Sequence, residues 1–374
     1  MIQNNYLGYR PTWAEVDLAN LEHNFLEIKK RCGVNTKIMI TVKADAYGHG
    51  LIPISKRLER CGVDFFGVAS IDEGIELRSS GIKKDILILG LILKKDILPL
   101  FKYNLFPTIC DWNMPKVLSN KARSLKKRIG VHVKVDTGMG RIGIRYREAH
   151  KLVEKISRLK GIDIRGVFTH LPCADLNKKF TFYQIDLFDK LVKALSRRGI
   201  KIPLVHAANS IGLINYKNSH FNMVRPGLII YGLYPKEGLK ARLKPVLSLK
   251  TKVVFVKRVP RGFGISYGHS YITKKATKIA TLPIGYGDVY PRNLSNKAEV
   301  LIKERRFRIV GRICMDQLMV EVGDYNIKIG DEVVLIGSQG REVITAEELA
   351  LKSKTIPYEI VCGLGSRIPR IYKH

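Results

Sequence analysis

The sequence has no run of apolar residues long enough to cross a bilayer. The longest such run, Ile86 to Leu93, is interrupted by Gly90, whereas a spanning helix needs about 20 consecutive apolar residues. The opening MIQNNYLGYRPTW lacks the apolar core of a secretory signal, so no membrane association and a cytoplasmic location are expected. Cysteine is sparse: the 6 residues Cys32, Cys61, Cys110, Cys173, Cys314 and Cys362 are far apart and form no CxxC pair. That spacing excludes a disulfide framework and a zinc-binding module, and reduced thiols are expected. No histidine pair stands at ligand spacing, so no metal is expected. No GxGxxG follows the first predicted strand, which argues against a dinucleotide-binding sheet. Repeats and low-complexity tracts are absent.

Acidic residues are also scarce. The chain has 33 Asp and Glu against 65 Lys and Arg, a formal charge of +32. Such an excess attracts anionic polymers, but here it is spread over the whole length. The densest clusters, 121–128 and 303–308, match no RNA-recognition or zinc-finger pattern. The charge is read as solvated surface, with no nucleic-acid partner.

What is present is an ordinary globular composition, 45% hydrophobic over 374 residues, enough for one large or two medium domains. Residues 1–12 read as irregular. Asp17 to Leu21 opens a helix with Leu21, Phe25 and Ile28 on one face. Strand patterns then follow at 37–43, 65–70, 86–90, 105–109, 130–136, 165–170, 204–209 and 228–232. Amphipathic helices fill most intervals, among them Ile54 to Arg60, Ile71 to Arg78 and Phe182 to Ser196, and the interval before the last strand is short. Eight alternations over about 220 residues predict an α/β fold with a (β/α)8 TIM-type barrel.

The pattern changes after a linker at 235–245. Strand-prone runs at 248–259, 276–284, 298–302, 306–322 and 331–336 dominate, with one helix from Thr345 to Ser353, where Thr345 is the expected N-cap. The expected division is a barrel over 13–240 and a C-terminal β-rich domain over 245–374, with residues 1–12 packing against the latter.

In such barrels the chemistry sits where strands end. Lys43, Asp136, His170 and the Asn209-Ser210 pair all fall at predicted strand ends. The stretch Ile38 to Gly50, IMITVKADAYGHG, runs straight from strand into lysine. Burial disfavours an ammonium and yields the free amine that imine formation or proton abstraction requires. A lysine reaching into water from a strand end has the same local pattern.

The words TVKADAYGHG (41–50), VDTGMGRIG (135–143), VRPG (224–227), ISYGH (265–269) and GRICMDQ (311–317) resemble those of the bacterial alanine racemases. The likeness runs in order from Arg10-Pro11-Thr12-Trp13 to Arg367-Ile368-Pro369-Arg370. That family binds pyridoxal 5′-phosphate (PLP) on a (β/α)8 barrel followed by a β-rich domain. The resemblance implies that Lys43 holds PLP and exchanges the Cα proton of alanine on one face, with Tyr267 of the other subunit acting on the opposite face. Arg141 would meet the cofactor's phenolic oxygen and the substrate carboxylate. Lys134 occupies the position of a lysine that some members carbamylate to orient that arginine. Arg225 would face the pyridine nitrogen and be hydrogen-bonded by His170.

Tyr47, Ser210, the Gly227-Leu228 backbone and Tyr358 would hold the phosphate. Met315 would offer its N–H to the substrate carboxylate, with Asp316 nearby, and Tyr286 would narrow the entrance. The implied protein is a homodimer with shared active sites, supplying D-alanine for peptidoglycan. A broad-specificity racemase of the same fold and a non-catalytic PLP-binding protein are the alternatives. The proline in Leu171-Pro172-Cys173 departs from the expected pattern.

Overall fold

The computed structural model describes residues 9–235, 238–288 and 290–374. Eight parallel strands, Lys37–Thr41, Phe65–Val68, Asp85–Ile88, Leu105–Ile109, Ile129–Asp136, Ile162–Phe168, Leu204–His206 and Met223–Val224, pair each with the next. Met223 and Val224 pair back with Lys37 and Ile38, closing the ring. The eighth strand is therefore not 228–232. Leu228–Tyr231 is a fully buried 3-10 turn instead. A short apolar run cannot distinguish a buried strand from a buried helical turn, and Pro226, with no N–H, ends the true strand before it.

Alternation along each strand sorts the core into two layers. Val131, Val133 and Val135 face the surrounding helices, whereas His132 and Lys134 face the barrel axis. Met39, Phe65, Leu87, Phe106, Leu204 and Met223 fill one section of the barrel's interior, so it is a packed core and not a pore. The helices Leu51–Arg60, Ile71–Ser79 and Lys178–Arg197 lie where the periodicity places them.

The C-terminal region is β-rich. Its main sheet runs in the order Arg305–Arg308, Glu299–Ile302, Glu332–Gln339, Leu247–Lys252, Thr12–Asp17, Arg370–Lys373, with Glu342–Ile344 paired to Glu332–Gln339. A second sheet joins Phe255–Val259, Thr277–Leu282 and Leu318–Glu321. The expected run 306–322 is two strands separated by a loop that carries Met315. Thr345 caps the helix Ala346–Ser353 by accepting from the Glu348 N–H.

The first strand, Thr12–Asp17, lies inside this sheet, while Asp17 caps the barrel helix Leu18–Arg31. Of the expected irregular segment, residues 1–8 lie outside the described residues, as do 236–237 of the expected linker. All six thiols are free. Among the described residues no helix is long and apolar enough to cross a membrane.

Arg10 ties the N-terminal arm to this region. Its two terminal nitrogens each lie 2.5 Å from a carboxylate oxygen of Asp288, which is fully buried. Removing Arg10 leaves the buried Asp288 carboxylate with only the Arg367 guanidinium at 3.7 Å and the Gly285 N–H at 3.1 Å. Arg10→Ala is therefore expected to lower unfolding stability by about 3 kcal/mol, and Arg10→Ala/Asp288→Asn to recover part of that loss, as read from urea denaturation midpoints.

Candidate active site

The barrel strands end around a cavity of about 540 Å³, within the usual range of small-molecule sites, about 300–1,000 Å³. Lys43, Tyr47, Lys134, Arg141, His170, Ser210, Arg225, Gly227 and Tyr358 all line it. Nine expected site residues thus share one space, drawn from six stretches of the chain.

Lys43 is half-buried and lies two residues past the end of its strand, after Val42. The next four residues, Ala44, Asp45, Ala46 and Tyr47, all have left-handed backbone angles, with φ of 54, 54, 52 and 56°. Each costs an L-residue roughly 1–2 kcal/mol, so tertiary contacts must hold the turn. Glu73 accepts from the Ala44 N–H at 2.7 Å, and Asp45 Oδ1 accepts from the Leu51 N–H at 2.7 Å. The Arg370 guanidinium donates to Gly48 O at 3.1 Å, and Tyr372 Oη to His49 O at 3.2 Å. The turn folds Tyr47 back into the core, where its ring centroid lies 5.0 Å from that of Tyr231 and 5.9 Å from that of Tyr358. Burial pushes the Tyr47 hydroxyl pKa well up and that of Tyr358 to about 12, so both remain neutral hydrogen-bonding groups.

On the other side of the cavity Ser210 Oγ accepts from the Gly227 N–H at 3.0 Å. A Cβ at Gly227 would stand 2.7 Å from the Tyr47 hydroxyl oxygen, so this close approach requires glycine. Leu228 is fully buried behind it.

Arg225 is 5% exposed. One terminal nitrogen donates to His206 Nδ1 at 2.7 Å, and the other to Thr169 O at 2.6 Å and Ala207 O at 3.2 Å. Burial lowers its pKa to about 9, which leaves it charged at neutral pH. The histidine bonded to this arginine is thus His206. No hydrogen bond joins His170 to Arg225 among the described residues. His206 shares the inward parity of its strand with Leu204, whereas His170 lies two residues beyond its strand's end.

Lys134 is 2% exposed, with its ammonium 4.7 Å from the centroid of the Phe168 ring. Burial, then the charges of Arg225 and Arg141, hold its pKa well below the ordinary lysine value. Arg141, exposed at the mouth, sits on a loop shaped by Asp136. Asp136 Oδ1 accepts from the N–H groups of Gly138 and Met139 at 2.8 Å, and Oδ2 from Gly140 at 3.1 Å. Burial alone would raise the Asp136 pKa, but these amides outweigh it and the net shift is downward.

Four expected residues stand apart from the cavity. Tyr267 is 70% exposed, Met315 53% and Tyr286 41%, and exposed Asp316 accepts from Arg367 at 2.7 Å. Tyr267 follows Ser266, whose φ of 62° and ψ of −173° are nearly confined to glycine. Ser266 Oγ anchors that turn on Arg312 O at 2.6 Å. His132, His206 and Phe168 escaped the sequence reading. Their signal was strand parity, since each lies an even number of residues from a recognised site position.

A closed barrel with a lysine-bearing cavity at its strand ends and a β-rich domain behind it defines a barrel enzyme built around an amine. Two family models match the chain: Alanine racemase, N-terminal domain, over residues 16–235, and Alanine racemase, C-terminal domain, over 246–372. The chain belongs to the alanine racemase family. It is 47% identical to the alanine racemase of Halothermothrix orenii, covering 98% of this chain and 97% of that one. It is 45% identical to that of Carboxydothermus hydrogenoformans, covering 97% and 100%. The solved alanine racemase of Clostridium difficile 630 superposes with a TM-score of 0.93 at 40% identity, covering 98% and 96%. That of Bacillus anthracis with bound L-Ala-P superposes at 0.91 and 35%, covering 98% and 96%.

Two predictions follow from this geometry. Ala44→Gly removes left-handed strain of about 1–2 kcal/mol against an entropic cost of about 0.5–1 kcal/mol. A net gain in unfolding stability of about 0.5–1 kcal/mol is expected in chemical denaturation.

The second prediction concerns acid. Burial lowers the pKa of His49 to about 4 and of His132 to about 3, and holds those of His170 and His206 well below the usual value. These groups are neutral when folded and protonate below about 6.5 when unfolded, so the unfolded chain binds more protons in that window. Stability is full above pH 6.5 and is lost as pH falls towards 4, by up to about 1.4 kcal/mol per pH unit for each histidine. Urea midpoints at pH 7, 6 and 5 should fall accordingly, and less steeply in His49→Gln.

Proposed function

We propose that this protein interconverts L- and D-alanine as a PLP-dependent homodimer, by proton exchange on both faces of Cα. The observation that carries this reading is the convergence of Lys43, Arg225, Ser210, Gly227, Tyr47 and Tyr358 in one cavity. These residues fit PLP. Lys43 offers an amine for its aldehyde, and Arg225 a charged donor for its ring nitrogen. The Gly227-Leu228 backbone and the hydroxyls of Ser210, Tyr47 and Tyr358 suit a phosphate. When bound, PLP supplies the electron sink that acidifies the amino acid's Cα–H. Arg225 stays charged at neutral pH even with its pKa lowered by burial, so it keeps its proton and limits how far negative charge settles on the ring, which suits proton return over transamination.

Arg141 binds the substrate carboxylate at the mouth, assisted by the Met315 N–H with Asp316 beside it, and Tyr286 narrows the entrance. Lys43 Nζ takes or gives the Cα proton on the D face, and the Tyr267 hydroxyl on the L face. Tyr267 and Met315 are exposed on the chain's own β-rich region and outside its own cavity, which supports their reaching the cavity of a second copy. Burial and the neighbouring arginine charges shift Lys134 towards the neutral amine, the form that carbon dioxide carbamylates, giving an anion to hold Arg141. The product, D-alanine, serves bacterial peptidoglycan.

The test is racemisation of L-alanine and L-serine in parallel, with the visible absorption of bound cofactor recorded. D-Alanine should form much faster than D-serine, and Lys43→Ala should lose both activity and absorption. Comparable rates on the two substrates would indicate a broad-specificity racemase, and absorption without turnover a PLP-binding protein. Shared sites have a direct signature. Lys43→Ala and Tyr267→Phe, each nearly inactive alone, should regain about a quarter of the wild-type rate when unfolded together and refolded as mixed dimers. No recovery on mixing would exclude shared sites.

A further inference from the structure

Behind Arg225, on the barrel axis, lie two histidines that the proposed chemistry does not use. Arg225 donates to His206 Nδ1 at 2.7 Å, and His206 Nε2 lies 2.9 Å from His132 Nδ1. Both histidines are fully buried. Their protons can be placed by elimination. A guanidinium donates and cannot accept, so His206 Nδ1 carries a lone pair. Neutral His206 then carries its proton on Nε2 and donates it to His132 Nδ1. His132 Nδ1 is therefore an acceptor, which leaves the His132 proton on Nε2. That nitrogen finds no hydrogen-bond partner among the described residues.

A buried N–H without an acceptor carries a desolvation cost. The surroundings nonetheless hold His132 closely. Its ring centroid lies 6.2 Å from that of Phe106, with the rings stacked, and 6.3 Å from that of Phe65. A Cβ at Gly166 would collide with its Nδ1 edge. Phe168 stacks on His206 at 4.8 Å and 3°. Both rings are thus fixed in the one orientation that passes a hydrogen bond from Arg225 down the barrel axis.

We propose that His132 is a positioning residue for Arg225: by accepting the Nε2 proton of His206, it locks His206 in the tautomer whose Nδ1 receives the arginine. Without that acceptor the buried His206 Nε2–H has no partner, a cost that favours the other tautomer, which turns an N–H against the Arg225 N–H and drives the guanidinium off its station. The functional consequence rests on Arg225 facing the cofactor ring. The tautomer lock itself does not, because it involves protein atoms only.

The test uses full-length protein with 15N-labelled histidine. Without cofactor at pH 7, both His132 and His206 should show protonated Nε2 and unprotonated Nδ1. In His132→Phe the His206 signals should shift towards a tautomer mixture, with kcat at least tenfold lower. His132→Asn, whose amide oxygen can take the place of Nδ1, should restore the single tautomer and most of kcat. A protonated His206 Nδ1 in the unaltered protein would overturn the proposal, as would a single unchanged His206 tautomer in folded His132→Phe. A tautomer shift with kcat unchanged would overturn the positioning of Arg225. Unaltered protein with the expected tautomers but no racemisation would uphold the lock and overturn the functional reading.

Discussion

Positive charge crowded into the barrel mouth is the constraint from which the rest of the site follows. Lys43, Lys134, Arg141 and Arg225 all line one cavity, and no carboxylate is among its lining residues. Asp136, two residues beyond Lys134, is turned towards the amides of its own loop. Like charges at short range in a poorly solvated space cannot all persist. The structure relieves the crowding in two ways: Lys134 is pushed towards its neutral amine, and the nearby histidines are held neutral. What remains is a pocket matched to anions, such as a phosphate, a phenolate, a substrate carboxylate or a carbamate on Lys134.

Much of this was legible because strand ends are easy to read. Lys43, Asp136, His170 and Ser210 were located by counting alternations, and the cavity joins three of the four. The eighth strand was not, since Leu228–Tyr231 is as apolar as a buried strand and Met223–Val224 is only two residues long. The partner of Arg225 was missed for a similar reason. Hydrogen-bonding depends on which strand face a residue occupies at the barrel axis, and across-barrel neighbours are far apart in sequence: His132 and His206 are 74 residues apart. Tyr267 and Met315 were recognisable only through resemblance. Their local patterns describe an exposed strand tyrosine and a loop methionine, and nothing in local sequence says that a second chain gives them a role.

The two ends of the chain meet the site from behind. Thr12–Asp17 lies between Leu247–Lys252 and Arg370–Lys373, so the N-terminal strand and the C-terminal strand are neighbours in one sheet. Asp17 leads directly into the barrel's first helix, while Arg370 and Tyr372 reach back to the turn after Lys43. The β-rich region is therefore part of the support for the barrel's own lysine as well as the carrier of Tyr267.

That support explains why the turn can exist. Four consecutive left-handed residues cost of order 4–8 kcal/mol, comparable to the net stability of a whole domain. Local sequence does not favour the turn, since neither alanine nor tyrosine prefers left-handed angles. The contacts from Glu73, Leu51, Arg370 and Tyr372 impose it, and they come from barrel and sheet alike. Its yield is geometric: the chain leaves the strand at Thr41, sets Lys43 at the cavity and returns Tyr47 to the same space. The amine and one hydroxyl of the site are thereby carried only four residues apart on a backbone of fixed shape. An unstrained loop would have left both to find their places from solvent, at the entropic cost of ordering them whenever a ligand arrived.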